Sequence, residues 1–337
     1  MLDAMDCTLF IPHLIPSLEQ GEPPWRAPEA PRLKTLLARA THAIDNTTDA
    51  EAWLCGAFGI ARQRDWPLAP ICAAADGLPA HGGYWLRATP VHLEPRRTAL
   101  MLTGSAASGL TATVSDALAL SLSTHLRDEG ITLHAPRPGV WYLSAPQAQT
   151  MQTFAIEAAL GRDVREFLPQ GADSLRWHRI ITEMQMLLHA HPVNESREAQ
   201  GQPAINSVWI SGGGTLPPRS AARYTHVCGD DDVVHALAQH SGGKIASRVH
   251  AFDQLSASGH LLVTIESLAL RATRGDMDAW RDAVHALERE WIIPLLAAQK
   301  SRRIGTITLV SANGEGVQQF ILHSLDCLKI WRKNKYL

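Results

Sequence analysis

An α/β fold, in which a mostly parallel sheet carries helices on both faces and a small α+β domain is inserted, is what this sequence predicts. Three observations carry that expectation. From residue 207 onward, short apolar strands alternate with helical stretches in the manner of βαβ units, which pack as a parallel or mixed sheet with helices on its faces. Between Gly82 and Ser144 the order changes to β-β-α-β, compact enough for an insertion. The balance of 45% hydrophobic against 19% charged residues over 337 positions gives the apolar surface needed to bury a core in more than one domain.

Taken in chain order, residues 7–15 (CTLFIPHLI) read as a short buried strand broken by Pro12. A Pro-rich loop at 22–31 containing Trp25 follows, and then 33–43 and 50–60 show apolar residues at helical spacing. A loop carrying Asp65-Trp66-Pro67 and Asp76-Gly77 precedes the change of texture. Within the insertion, 84–93 (YWLRATPVHL) and 98–103 are strand-like, 115–127 is helical and 139–143 is another strand. Residues 177–190 (WHRIITEMQMLLHA) form the clearest amphipathic helix, with Ile181, Met184, Leu187 and Leu188 on one face, and His191-Pro192 end it. A polar stretch leads to a strand at 207–210 that stops at Gly212-Gly213-Gly214. Then come a helix at 231–240, a strand at 260–265, a long helix at 278–299, and strands at 305–310 and 317–322. The expected organisation is a core from 1–75 and 175–337, interrupted by an inserted α+β domain at 76–174.

Charge and cysteine usage narrow the function classes. A net charge of −2 gives no electrostatic pull towards nucleic acid. Five scattered cysteines without a CxxC pair argue against a disulfide framework or a zinc knuckle, and for a reducing compartment. No apolar run reaches the roughly 18 residues of a membrane span, and Asp3 and Asp6 stand where a signal peptide would carry positive charge. A cytoplasmic protein, not a membrane one, is the expectation. The 16 histidines show no i, i+4 pairing around His178, His189 and His191; His189 with His191 reads as a helix end, and the isolated His81, His92, His134, His250 and His260 read as satisfied structural imidazoles. Asp230 to Asp232 and Asp276 with Asp278 read as helix starts, where carboxylates meet the positive end of the dipole. Cys55 and Cys72 read as inert small hydrophobes. Arg87, Arg96 and Arg97 are the arginines able to close over a phosphate or carboxylate.

The most informative segment is 191–214, HPVNESREAQGQPAINSVWISGGG. It reads as a helix end, a polar loop, a strand and a glycine turn at the strand's carboxyl end, where ligands of open sheets sit. His191, Pro192, Val193 and Asn194, then Arg197, then Gly201, Ala204 and Asn206, then Gly212 to Gly214, resemble in order and spacing the archaeal-type cofactor-independent phosphoglycerate mutases. Ser211 replaces the arginine that family carries before its glycine turn. More thinly, 7–15 resembles the family's first strand, Thr48-Asp49 its Ser-Asp, 84–93 a strand of its inserted domain, and 278–296 its late helix. WLCGAFG (53–59), DWPLAP (65–70) and 177–194 resemble still more a proteobacterial group labelled RpfE-type regulatory or phosphoglycerate-mutase-like proteins.

The resemblance implies an alkaline-phosphatase-like sheet and a crevice for phosphorylated ligands lined by His191, Asn194, Arg197, Asn206, Gly212, Gly213, Gly214 and Arg87. It also implies that Thr48 stands at the place of the phosphate-accepting nucleophile. The family's metal ligands, however, are replaced: Pro12 and His13 stand where its first strand ends in Asp-Gly. Residues Ala269 to Thr273 replace an Asp-Glu-Ala-Gly-His stretch, and Ser311 to Gly314 replace an Asp-His pair. Phosphoryl transfer rests on positioning and on neutralising charge, which the metals supply, and a threonine hydroxyl without them stays protonated. The expectation is therefore a catalytically degenerate relative with no metal and no cofactor. Its role would be regulatory, or the binding of a small phosphorylated or carboxylated metabolite, with a protein partner as a further candidate. The competing expectation is an active phosphomutase or phosphohydrolase that uses manganese or magnesium with Glu266, His13 or Thr48; a third is a pure interaction scaffold.

Overall fold

The computed structural model describes residues 5–16, 27–45, 49–105, 109–246, 251–254, 259–313, 316–329, 331–332 and 336–337. Two compact units divide the chain: Met1–Ile60 with Arg219–Leu337, and Ala61–Pro218. In chain order the first elements are β1 (Met5–Phe10), α1 (Pro31–Arg39), β2 (Thr41–Asp45), α2 (Ala50–Ala57) and α3 (Leu68–Ala75). β3 (Tyr84–Pro95), β4 (Leu100–Ser105), α4 (Ala112–Asp128), β5 (Thr132–Arg137), β6 (Val140–Ala145), β7 (Met151–Gln152) and α5 (Ile156–Ala159) come next. They lead to β8 (Gln170–Gly171), α6 (Ser174–His189), α7 (Pro192–Ala199) and β9 (Ser207–Gly214). The chain closes with β10 (His226–Cys228), α8 (Asp232–Ser241), β11 (Lys244–Ile245), β12 (His260–Thr264), α9 (Ala269–Thr273), α10 (Met277–Leu287), α11 (Ile293–Lys300), β13 (Ile304–Asn313) and β14 (Gly316–His323).

The discontinuous unit is built on a seven-stranded sheet in the order β11-β10-β12-β1-β13-β14-β2. Strands β11, β10, β12, β1 and β13 run parallel, and only β14 opposes its neighbours. β1 is central, with Thr8 opposite Leu262 on one side and Thr308 on the other. A strand covered on both faces needs apolar residues in succession rather than alternation. Leu9 and Phe10 supply them, both buried. The predicted α/β class, with a mostly parallel sheet, is the one observed.

Helix α1 shows how a helix is held when its own cap is missing. Ala30 at its N-cap offers no side-chain acceptor, which leaves amide groups of the first turn without partners. Glu288 takes the cap's place: its carboxylate accepts from Arg32 N–H at 3.2 Å and Leu33 N–H at 2.9 Å. The predicted long helix at 278–299 is present as α10 and α11, joined by a π-helical turn at Glu288–Ile292. That wide turn carries the buried Glu288 against the end of α1, while Leu33, Leu36 and Leu37 bury the apolar stripe of α1.

In the Ala61–Pro218 unit, an antiparallel sheet runs β4-β3-β6-β5, with β9 paired to β3. Helices α4 and α6 place Leu118, Leu122, Leu126, Trp177, Ile180 and Met184 against Leu86, Trp141, Leu143, Val208 and Ile210. Each such side chain contributes roughly 1.5–3 kcal/mol on burial. A second apolar cluster gathers Val91, Leu93, Leu102, Val164, Phe167 and Trp209.

Several boundaries differ from expectation. The helix expected over 33–43 ends at Arg39, because Ala40 turns to ψ 153°; His42 and Ala43 lie instead in β2, paired with β14. Residues 61–75 and 175–218, assigned from sequence to the core, fold with the inserted unit. The reason is physical: β9 pairs with β3 from Val91 to Trp85, and α3 packs on β9. The polar stretch after His191 contains α7, for which Pro192 is the first residue, a position where its missing N–H is no loss. Strand β9 also continues through all three glycines instead of stopping before them.

Candidate functional site

In open α/β sheets, ligands meet the carboxyl ends of the parallel strands. Here those ends are Phe10, Cys228, Thr264 and Asn313. The chain after β1 does not leave this edge but runs along β13. Ile11 N–H donates to Val310 O and His13 N–H to Ala312 O, each at 2.8 Å. Ile15 N–H donates to Ser311 Oγ at 2.9 Å, and Asn313 Nδ2 donates to Ile15 O at 3.1 Å. Ser311 and Asn313 thus hold backbone. His13 sits at φ 58°, a left-handed conformation uncommon outside glycine. Its backbone carbonyl accepts from Trp280 Nε1 at 3.0 Å, and burial lowers the pKa of its imidazole.

Asp231 and Asp276 have the helix-starting roles the sequence suggested, and Asp49 has the same role at α2. Asp49 Oδ1 accepts from Ala52 N–H at 2.7 Å, Asp231 Oδ1 from Val233 N–H at 2.7 Å, and Asp276 Oδ1 from Ala279 N–H at 3.0 Å. Asp278 pairs with Arg281 within α10. Glu266 is exposed just beyond β12. Among the described residues, no three His, Cys, Asp or Glu side chains come close enough to hold one metal ion. Thr48, the candidate nucleophile, lies outside the described residues.

The segment singled out from sequence lies in the other unit, and its side chains turn inward. Asn194 is buried; its Nδ2 donates to Leu188 O at 2.7 Å and Ile205 O at 2.8 Å, and its Oδ1 accepts from Ile205 N–H at 2.8 Å. Arg197, also buried, donates from Nε to Pro203 O at 3.1 Å. His191 caps α7 by accepting Val193 N–H on Nδ1 at 3.2 Å, and its Nε2 lies 3.0 Å from Ser121 Oγ. Asn206 extends the sheet with a side chain. Its Oδ1 accepts Leu93 N–H and its Nδ2 donates to Leu93 O, both at 2.8 Å. These four residues fasten 188–206 to itself and to β3.

The glycine triplet answers to close approach. A Cβ on Gly212 would meet Ala69 N and Leu68 Cβ at 3.2 Å; on Gly213 it would meet Tyr84 Oη at 2.2 Å; on Gly214 it would meet Pro67 Cβ at 2.6 Å. Gly212 has in addition φ 68°, which glycine alone adopts freely. Residues 67–69 belong to the DWPLAP motif, so the two motifs of the sequence interlock. Asp65, which begins that motif, was not singled out as a site residue from sequence. It is buried, accepts Thr153 N–H and Trp66 N–H at 2.9 Å each, and bonds with the Thr153 hydroxyl and the Gly213 backbone. Burial pushes its carboxyl pKa up against the opposing pull of those donors. Tyr84 Oη nearby is buried with no hydrogen-bond partner among the described residues. An acidic residue before Trp-Pro was the available signal, but its meaning depends on Thr153 and Gly213, far along the chain.

Arg87 lies in β3 opposite Tyr142 and Ser211. Arg96 pairs with Glu94 at an exposed position. His178 Nε2 donates to Pro169 O over 2.8 Å, and Cys55 and Cys72 are buried. No helix is long and apolar enough to cross a membrane among the described residues.

No family model matches this chain. Over 61 residues it is 33% identical to a 2,3-bisphosphoglycerate-independent phosphoglycerate mutase from Methanosarcina mazei, a match covering 18% of this chain and 15% of that relative. Among solved structures, a cofactor-independent phosphoglycerate mutase from Thermoplasma acidophilum aligns over 95% of this chain and 90% of its own, with 15% identity and a TM-score of 0.46. The PH0037 protein from Pyrococcus horikoshii aligns over 96% of this chain and 88% of its own, with 13% identity and a TM-score of 0.53. At that level of identity the finding concerns architecture: this chain shares its fold with the Pyrococcus horikoshii protein.

Proposed function

We propose that this chain is a catalytically degenerate phosphoglycerate-mutase-like protein whose role is regulatory or metabolite-binding. The 61-residue likeness to the Methanosarcina mazei mutase and the motifs at 53–59, 65–70, 177–194 and 191–214 support the descent. One observation carries the loss of chemistry. At the carboxyl edge of the parallel sheet, Ser311 and Asn313 are engaged by the Ile15 backbone, where transfer of a phosphoryl group calls for Asp and His ligands to divalent ions. The donor set present there does not fit a dimetal centre. His13, held in the left-handed region, belongs to no group of three or more His, Cys, Asp or Glu side chains among the described residues.

The test is direct. Purified protein with manganese or magnesium is assayed for conversion of 3- to 2-phosphoglycerate and for aryl-phosphate hydrolysis; background rates are expected. Turnover above background that disappears in Thr48→Ala would overturn the reading and restore the active-enzyme alternative. A thermal-shift panel of phosphorylated and carboxylated metabolites addresses the binding role, since a ligand at about 100 times its Kd stabilises by roughly 2.7 kcal/mol. Absence of any shift favours the interaction scaffold.

A further inference from the structure

Strand β9 closes the sheet of the Ala61–Pro218 unit along one edge only. It pairs with β3, Pro90 standing opposite Val208. Val91 C=O accepts from Asn206 N–H and Leu93 turns its N–H and C=O to the Asn206 side chain. By alternation Val91 and Thr89 face β9 while Pro90, which has no N–H, faces away, and the bonded pairs are Thr89–Trp209 and Val91–Ser207. The N–H and C=O of Val208, and by alternation those of Ile210, therefore point away from β3. Both residues are buried, at 3% and 4% exposure. Among the described residues no further strand pairs there and no loop or side chain bonds to these four groups. Buried backbone groups without partners are rare, and water or a ligand has to satisfy them.

A cavity of about 170 Å³ lies against this strand. Ser207 and Trp209 line it from one face of β9, Val208 and Ile210 from the other, so it wraps the open edge. Its further walls combine apolar Leu93, Phe167, Leu168 and Ile181 with His178, whose Nε2 is spent on Pro169 O, and Thr182. Gln185, also in the wall, donates from Nε2 to Ser207 Oγ at 3.0 Å. The one cation in the lining, Arg165, is held by Asp163 at 2.8 Å and by Thr98 O at 2.5 Å. Charge therefore offers no grip on an anion here. Cavities of about 150 Å³ accommodate benzene, so this one takes a single ring with a short polar arm.

The same unit already contains the matching interaction. At Leu93, on β3, the Asn206 carboxamide bonds both the N–H and the C=O of one strand residue. We infer that this cavity is a binding site for a small neutral aromatic carboxamide, whose amide meets the N–H and C=O of Val208 as Asn206 meets those of Leu93, with the ring among Leu93, Phe167 and Ile181. The inference stands apart from the mutase-like reading, since it uses neither the carboxyl edge of the parallel sheet nor any phosphate contact.

Benzamide is the probe, with benzoate and toluene as controls of similar shape. Saturation-transfer NMR on the full chain should show benzamide binding, with both controls at least about tenfold weaker, the worth of one or two backbone hydrogen bonds. In valine-selectively ¹⁵N-labelled protein, the Val208 amide resonance, assigned by its loss in Val208→Ile, should shift on addition of benzamide. Thr182→Trp, at an exposed wall position, should abolish binding with an unchanged melting temperature; if that variant fails to fold, Leu168→Trp fills the site from another wall. No saturation transfer at millimolar benzamide, equal binding of toluene, or an unmoved Val208 resonance would overturn the assignment.

Discussion

Asn194 separates two accounts of the segment at 191–214, and replacing it by alanine makes them measurable. The sequence reading makes it a ligand contact; the geometry makes it a clamp. Its amide joins the end of α6, through Leu188 O, to the start of β9, through both polar groups of Ile205. A neutral hydrogen bond contributes about 0.5–1.5 kcal/mol net, and a buried group left unpaired costs about 1–3 kcal/mol. Ile205 is fully buried, so its N–H and C=O cannot recover water. Three bonds lost together come to about 3–4 kcal/mol, a large part of an ordinary domain's total stability. Urea unfolding should show the midpoint falling with the slope unchanged, and hydrogen–deuterium exchange should rise first in 188–206. Asn194→Asp keeps the acceptor but sets a charge against two carbonyls, and should be at least as disruptive. A loss below about 1 kcal/mol in Asn194→Ala, without faster exchange at Ile205, would refute the clamp.

Other expectations follow from the same geometry. Glu288→Ala strips the distant cap from α1 and should cost about 2–3 kcal/mol, since two charge-assisted bonds go and the Leu33 amide is buried; chemical denaturation measures it, and a neutral result would sink the capping role. Gly213→Ala drives a methyl into Tyr84 Oη and should destabilise by about 1–3 kcal/mol, with partial recovery in the double variant carrying Tyr84→Phe, read by thermal melting. Asp65 has a folded-state pKa raised by burial. The stability it contributes is therefore complete below its ordinary value near 3.9 and is lost as pH rises through the raised value. The difference in melting temperature between the native chain and Asp65→Asn should change across that window and level off above it; a difference independent of pH would contradict the shift.

What could be read from the sequence divides along the range of the interactions. Helices such as α8 and α6 announce themselves locally, through an Asp before the first turn or apolar residues three and four apart. The alternating elements after β9 predicted the parallel sheet for the same reason. The second strand, β2, escaped because Thr41 to Ile44 continue a helical apolar spacing, and only pairing with β14 overrides it. The π-turn in the long helix escaped because nothing local demands it; its value lies in where it brings Glu288. The glycine triplet was visible but misread: glycines suggest a turn, whereas here they let Pro67, Leu68 and Tyr84 approach a strand. Asn194, Arg197 and Asn206 were conspicuous as polar residues beside a presumptive crevice. That their amide and guanidinium groups face backbone is decided by residues as far off as Leu93, which spacing does not reveal.

The carboxamide of Asn206 on Leu93 also bears on how this chain behaves in a crowded solution. A strand that runs on beyond its last partner exposes a row of donors and acceptors, and such rows are where foreign chains add themselves and fibrils begin. One side-chain amide fills that row at Leu93 and, being a side chain, offers no continuing backbone for the next comer. Replacing Asn206 by leucine would keep the bulk yet reopen the template, so slow self-association, more than lost fold, is the consequence to watch for.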